Sequence, residues 1–444
     1  MGIGFRRVGL SPFLQRRRRE TPSMATARVF RTTDHAPIVG DEVQDCCIVG
    51  GGPAGAMLAL LLARRGVRVT LLEMHHDFDR EFRGDTVHPS TLEILEQIGL
   101  AERVHALRNS KISAPTLLTT RGPFTPFDLS RLKTKYRYIL LVHQKDLLAL
   151  LTEEAKKYSG FRLLMRANVT DLIREEGVVR GVRYQMGDRA YELRAVLTVG
   201  ADGRFSRVRQ LAGIEPIRTS PPMDVLWFRL PHLAEDIDAP GGAFGGFARG
   251  HILAGFDRND YWQAAFVIAK GAYQSLRAEG IEGLRRRIVE VEPHLARHAE
   301  SLTDWQKVSL LSVESSRCPR WYMPGLLLIG DAAHAMSPVG GVGINYAVQD
   351  AVVGANVLTR PLLNGCVTLD QLRAVQSRRE WPVRIIQALQ TQLQSRVIAT
   401  ALKAQEQQGL NIPWFVRAYT RIPLLRDVPP RIMALGVVRV RVEN

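Results

Sequence analysis

Leu326-Leu-Leu-Ile-Gly-Asp-Ala-Ala-His334, continued by Ala335-Met-Ser-Pro-Val-Gly-Gly-Val-Gly-Ile-Asn345, decides how this chain folds. Leu326 to Ile329 reads as a short buried strand and Gly330-Asp331 as its turn. A helix then runs from Gly343 to about Leu358. A carboxylate directly after an apolar strand can accept hydrogen bonds from the hydroxyls of a ligand, and Gly340, Gly341 and Gly343 let backbone approach a flat ring. Taken alone, Asp331 reads as a strand-end helix cap.

A partner far upstream changes that reading. Cys46-Cys-Ile-Val-Gly-Gly-Gly-Pro-Ala-Gly55 places Gly50-x-Gly52-x-x-Gly55 after an apolar strand and at the start of a helix over Pro53 to Arg65, closed by Gly66. Glycines at this spacing permit a tight turn, close approach to a pyrophosphate and tight helix–strand packing. The helix N-terminus offers free N–H groups to phosphate. Val67 to Leu72 is the next strand. Glu73 follows it, 18 residues after Gly55, near the roughly 20 that suit an acid on a ribose hydroxyl. One such turn fits NAD and FAD alike. Two glycine-rich elements, the second carrying an acid, fit a long cofactor gripped at both ends, as FAD would be. A third element, Gly200-Ala-Asp-Gly-Arg-Phe-Ser-Arg-Val-Arg209, follows the strand Val196 to Gly200. Asp202 is placed to organise a cationic partner near the pyrophosphate, with Arg83 the candidate. An Asp-Gly turn explains the same residues equally well.

Together the three elements resemble the class A flavoprotein monooxygenases, the family of para-hydroxybenzoate hydroxylase. Its GxGxxG, DG and GD motifs match Gly50–Gly55, Asp202–Gly203 and Gly330–Asp331. The block Phe82–Leu92 and the pair His143-Gln144 are also similar, and the resemblance spans residues 44–390. It implies FAD contacts from Arg83 and Gln144, backbone at Val169 beside the adenine, and Pro338 beside the flavin ring. The cofactor set is then Gly50, Gly52, Gly55, Glu73, Arg83, Gln144, Val169, Asp202, Asp331, Pro338, Gly341, Gly343, Ile344 and Asn345. The implied activity is NAD(P)H-consuming hydroxylation of a small aromatic or polyketide-like substrate by dioxygen, through a flavin C4a-hydroperoxide. NADPH or NADH is a transient co-substrate. No catalytic base can be assigned. No His or Cys is placed to attach the ring, so FAD is expected to be non-covalent.

The implied fold is α/β: a Rossmann-like FAD-binding domain, an inserted antiparallel β-sheet substrate domain and a helical C-terminal region. The expected bounds are a disordered basic tail over 1–42, the FAD-binding domain over 43–220 and 320–365, the sheet domain over 221–319 and the C-terminal extension over 366–444. Pockets form at such junctions. Trp227, Arg229, Phe256, Trp262 and Gln263 are the candidate substrate residues; Trp227 and Arg229 share a strand face by alternation. Trp227 and Trp262 read equally well as sheet core. His334 reads as loop support rather than as a base.

Composition sets wider bounds. The 444 residues are 45% apolar and 23% charged, an ordinary globular balance. Of the net charge of +16, the first 40 residues supply +6, largely through Arg16–Arg19. A disordered tail accounts for this better than nucleic-acid binding. Cys46 to Ala63 is uncharged over 18 residues, but Gly50-Gly51-Gly52-Pro53 breaks it as a membrane span. The four cysteines lack metal-ligand spacing, so no metal is expected, and a reduced, cytoplasmic protein is the simplest reading. Ile412–Val416 and Ile422–Leu425, among arginines, leave a peripheral membrane contact open; core packing explains them as well. The alternatives are another flavin oxidoreductase, such as a halogenase or prenyl reductase, and a non-catalytic flavin-binding protein. Trp227-Phe-Arg-Leu-Pro231 has the wrong spacing for the Trp-x-Trp-x-Ile-Pro of halogenases.

Overall fold

The computed structural model describes residues 29–30, 43–79, 85–119, 122–125, 127–234, 236, 242–399, 402, 422 and 426–443. Arg83, Ile412–Val416 and most of the N-terminal 42 residues lie outside this set. Val29–Phe30 is the exception: it forms a short strand against Val367–Thr368, where only tail was expected.

Apolar runs with no alternation form the central parallel sheet, because both of its faces are covered. Phe161–Met165, Val69–Glu73, Gln44–Val49, the end of Arg189–Gly200 and Leu326–Leu328 lie side by side in that order. The chain leaves Gln44–Val49 towards one edge and returns later on its other side, so the topological switch lies beside Val49. Ligands of open α/β sheets bind at such a point, outside the strands' carboxyl ends. Arg189–Gly200 serves twice: residues 189–194 pair antiparallel with Val178–Met186, whereas 195–200 join the parallel sheet.

The Pro53–Ala63 helix has buried residues all round, from Ala54 to Ala63. It packs against the Gly343–Leu363 and Gln144–Ala155 helices as well as against the sheet. Leu58, Leu60, Leu61 and Leu62 are each at most 1% exposed, and each such side chain stabilises by roughly 1.5–3 kcal/mol.

A second sheet runs Ser309–Leu311, Met223–Pro231, Tyr261–Ala269, His251–Asp257, Ala243–Ala248, Thr116–Thr119, Gly122–Phe124. Ser315–Arg317 pairs separately with Ile217–Thr219. Ala243–Ala248 runs parallel to Thr116–Thr119, so the sheet is not purely antiparallel. On one face Leu226, Phe228, Leu230, Trp262 and Phe266 pack against Leu284 and Ile288 of the Gly280–Val291 helix. On the other, Val225, Trp227, Ala254, Phe256 and Ala265 meet Val339 and, from the C-terminal region, Ile398.

Among the described residues no helix is long and apolar enough to cross a membrane, and no group of His, Cys, Asp and Glu could hold a metal.

Candidate active site

The motif loops gather at the carboxyl edge of the parallel sheet. Gly50 takes φ +104°, and a Cβ there would stand 2.4 Å from the Ala201 carbonyl oxygen; at Gly55 it would stand 1.9 Å from the Gly50 oxygen. These two glycines are therefore required by packing. Gly52 differs: a Cβ there meets nothing within 4 Å, so it borders open space at the helix N-terminus. That terminus has no side-chain cap and no acid in its first turn. Its N–H groups and positive dipole end suit a pyrophosphate.

Glu73 is 6% exposed. Its Oε2 accepts from Gly51 N at 2.9 Å, and its Oε1 accepts from His75 N at 3.0 Å. His75 Nδ1 also lies 2.7 Å from Oε1, so the carboxylate pins the glycine loop at the end of its strand. Ala167 N donates to the Glu73 carbonyl at 2.9 Å, which brings the strand carrying Val169 to this end.

Asp202 is engaged locally, and its expected partner, Arg83, lies outside the described residues. It accepts from Ser206 Oγ and, at 3.0 Å, from Val208 N, and so caps the short helix that follows. Burial pushes its carboxyl upward. It is the Asp-Gly turn reading that this geometry matches.

At the other end, Asp331 is the one exposed residue between Gly325 and Ala335. Gly330 has φ +58° and fits between Ala54 and Ala347, so the Asp331 turn sits where the Pro53 and Gly343 helices approach each other. The Gly343–Leu363 helix also lacks a side-chain cap and a first-turn acid, and a Cβ on Gly343 would meet nothing within 4 Å. Pro338 leads into the turn Val339–Gly341, where Gly340 and Gly341 take φ +80° and +62°. Thr86 Oγ1 donates to the Gly341 carbonyl at 2.7 Å.

Two expected contacts have other occupations. The Asn345 side-chain oxygen accepts from His88 N at 3.0 Å and Thr91 Oγ1 at 2.7 Å, fixing the start of the Pro89–Gln97 helix. The Ile344 side chain belongs to the core. Trp262 is a correction: alternation turns it onto the helix-covered face, where Phe244 lies edge-on at 5.0 Å and its Nε1 donates to Asp236. Trp227, Phe256 and Gln263 share the opposite face. Trp227 and Phe256 stand 6.2 Å apart, and the Trp227 Nε1 is buried with no partner among the described residues. Arg229, exposed at the rim, lies over the Tyr261 ring.

Sequence reasoning missed three groups. Asp85 accepts from the Gln144 backbone N at 3.1 Å and pairs with buried Arg258 at 3.3 Å. Burial raises its pKa to about 6, with Arg258 and a hydrogen bond to Gln263 opposing. Only its place in the Phe82–Leu92 block hinted at it. Behind Gly330, Asp350 joins His334 Nε2 at 2.6 Å and Arg379 Nε at 2.7 Å, all three within 1% of complete burial. It also accepts from Gly330 N at 3.0 Å. Burial raises the Asp350 carboxyl, but His334 and Arg379 outweigh it and hold the pKa low. A signal existed: Asp350 is the only acid between Asp331 and Arg360. Third, the C-terminal Val428–Leu435 helix reaches the same junction.

A family model described as FAD binding domain matches residues 43–379. The chain belongs to this family, the FAD-dependent class A monooxygenases. FAD is its cofactor. Over 406 residues it is 35% identical to the 6-methylpretetramide 4-monooxygenase of Streptomyces rimosus, covering 90% of this chain and 94% of that one. It is 32% identical to the anhydrotetracycline monooxygenase of the same organism over 69% of this chain, but spans only 61% of that protein's length. Two solved structures share the fold. OxyS anhydrotetracycline hydroxylase from Streptomyces rimosus has a TM-score of 0.68 at 24% identity, over 90% of this chain and 77% of that one. PqsL of P. aeruginosa, in complex with 2-aminobenzoylacetate, has 0.70 at 23%, over 82% and 98%. The residues present fit FAD: two uncapped helix N-termini face open space at Gly52 and Gly343, with Glu73 at one end and exposed Asp331 at the other.

Proposed function

We propose that this flavoprotein uses NADH or NADPH and dioxygen to hydroxylate an electron-rich, fused-ring aromatic substrate of the polyketide kind. The substrate lies between the sheet face of Trp227 and Phe256 and the Pro338–Gly341 turn. One observation carries the reading. On the single sheet face that meets Val339, a buried indole N–H has no partner among the described residues. Leaving a buried donor unpaired costs about 1–3 kcal/mol, and a carbonyl or phenolic oxygen on a ring stacked over Phe256 relieves it. The substrates in the names of the Streptomyces relatives support the fused-ring choice.

FAD, when bound, supplies the redox chemistry, passing electrons from the nicotinamide to dioxygen and one oxygen atom to the substrate. Per turnover, one substrate, one reduced nicotinamide, one proton and one dioxygen yield one hydroxylated product, one oxidised nicotinamide and one water. Glu73, the Gly50–Gly55 loop and Asp331 would hold the cofactor, and the positive end of the Gly343 helix would favour negative charge on it. Trp227 Nε1 orients the substrate oxygen. Val225, Ala254, Ala265 and Val339 exclude water from the reacting atoms. Gln263, held by Asp85, supplies an amide at the polar end of the same face.

The test is NAD(P)H oxidation by purified, yellow protein with and without anhydrotetracycline. Substrate-stimulated oxidation with a product one oxygen heavier is expected. No stimulation and no oxygenated product from this probe or from aklavinone would overturn the reading.

A further inference from the structure

We infer that Met433 of the C-terminal Val428–Leu435 helix is the wall that sizes the substrate space; this rests on the function proposed above. Its position follows from three contacts. A Cβ on Gly340, in the turn beside the ring site, would lie 3.8 Å from the Met433 sulfur and 4.0 Å from its Cγ. Met433 also packs, as Phe256 and Ala243 of the sheet do, against a buried cluster that includes Ile112 and Leu141. Ala434 and Leu435, 0% and 5% exposed, anchor the helix in that cluster, whereas Met433 itself is only half-buried. The thioether therefore stands where the flavin-side turn and the substrate face converge.

The wall is fastened to the cofactor side. Buried His88 donates from Nδ1 to the Met433 carbonyl at 2.8 Å. Beyond Gly436 the chain runs back over the framework: Arg439 pairs with Glu93, Val442 N donates to Gln97 Oε1, and Asn356 Nδ2 donates to the Arg441 carbonyl. A ligand that meets Met433 is thus measured against the ring site. An unbranched, polarisable thioether suits this place, because it fits irregular aromatic outlines and contacts ring edges favourably.

The test compares Met433→Trp, Met433→Ala and Met433→Leu in FAD-loaded protein. The probes are fused-ring anhydrotetracycline and single-ring kynurenine. Dissociation constants are read from perturbation of the flavin absorbance, beside kcat, KM and peroxide release. Met433→Trp should weaken anhydrotetracycline at least tenfold, through binding and KM rather than kcat, and change kynurenine severalfold less. Met433→Ala should shift the ratio of the two constants the other way, and Met433→Leu should restore the wild-type ratio. FAD content and melting temperature control for folding; if Met433→Trp does not fold, the Ala and Leu pair decides. A ratio unchanged across the variants, or binding of neither probe, overturns the wall. Binding that follows residue 433 without any hydroxylation leaves the wall standing and sinks the monooxygenase reading instead.

Discussion

The two ends of the proposed cofactor site are built from different materials. The nucleotide end is mostly backbone: Gly50 and Gly55 where no Cβ fits, a helix N-terminus, and one carboxylate, Glu73, tying the loop down. The ring end is mostly side chains from distant segments: Thr86, Trp227, Phe256, Gln263, Val339 and Met433. A backbone site tolerates only glycine and is the same for any dinucleotide. A side-chain site can change its occupant without changing the fold. That contrast makes the first end generic and the second specific.

The largest effect should come from behind the ring end, where His334, Asp350 and Arg379 are buried together. Arg379→Ala takes away the guanidinium and leaves the buried Asp350 carboxylate with only His334 Nε2 and Gly330 N, and breaking such a buried pair costs about 3–5 kcal/mol. The urea midpoint should fall accordingly, with FAD lost alongside, because Asp350 also holds Gly330 N. An unchanged midpoint would mean that the cluster contributes nothing to the frame.

His88 gives the next. Burial lowers its pKa to about 4 from the usual 6.5. A depressed histidine contributes stability that is complete above 6.5 and is lost as pH falls towards 4, because the unfolded chain takes up the proton first. The shift is worth up to about 3 kcal/mol. Asp85, with its pKa raised to about 6, acts in the opposite sense between its ordinary 3.8 and 6. The comparison that isolates His88 is therefore wild type against His88→Gln: their stability difference should shrink as pH drops from 7 to 5. A constant difference would contradict the burial argument.

Asp331→Ala sharpens the contrast between the ends more directly. Losing one charge-assisted acceptor costs roughly 1.5–3 kcal/mol, so FAD should bind about ten- to a hundredfold more weakly in a protein that keeps its fold. Equal FAD affinity would remove Asp331 from the site.

Legibility in the sequence follows the same division. Gly50, Gly55 and Gly330 announced the nucleotide-binding frame, because steric demands on backbone leave fixed spacings. Trp227 and Trp262 looked interchangeable, because strand alternation assigns a face only once register is known. Pairing of Phe256 with Gln263, and of Trp227 with Ala265, is what separates them. Asp202 was read through its motif, and its carboxylate caps the helix through Ser206 and Val208. Asp85, Arg258 and Met433 were missed because their roles depend on contacts between segments far apart in the chain. Sequence periodicity carries no trace of such contacts.

The smallest change in structure bears most directly on the central claim, that substrate lies on the Trp227 face. Trp227→Ala and Trp262→Ala remove the same side chain from opposite faces of one sheet. The measurement is the fraction of consumed NAD(P)H recovered as hydrogen peroxide with anhydrotetracycline present. Trp227→Ala should keep its FAD and release most of its reducing equivalents as peroxide. Trp262→Ala should melt earlier, since it loses core packing, yet stay coupled. The reverse pattern, with Trp262→Ala uncoupled and Trp227→Ala coupled, would contradict the account.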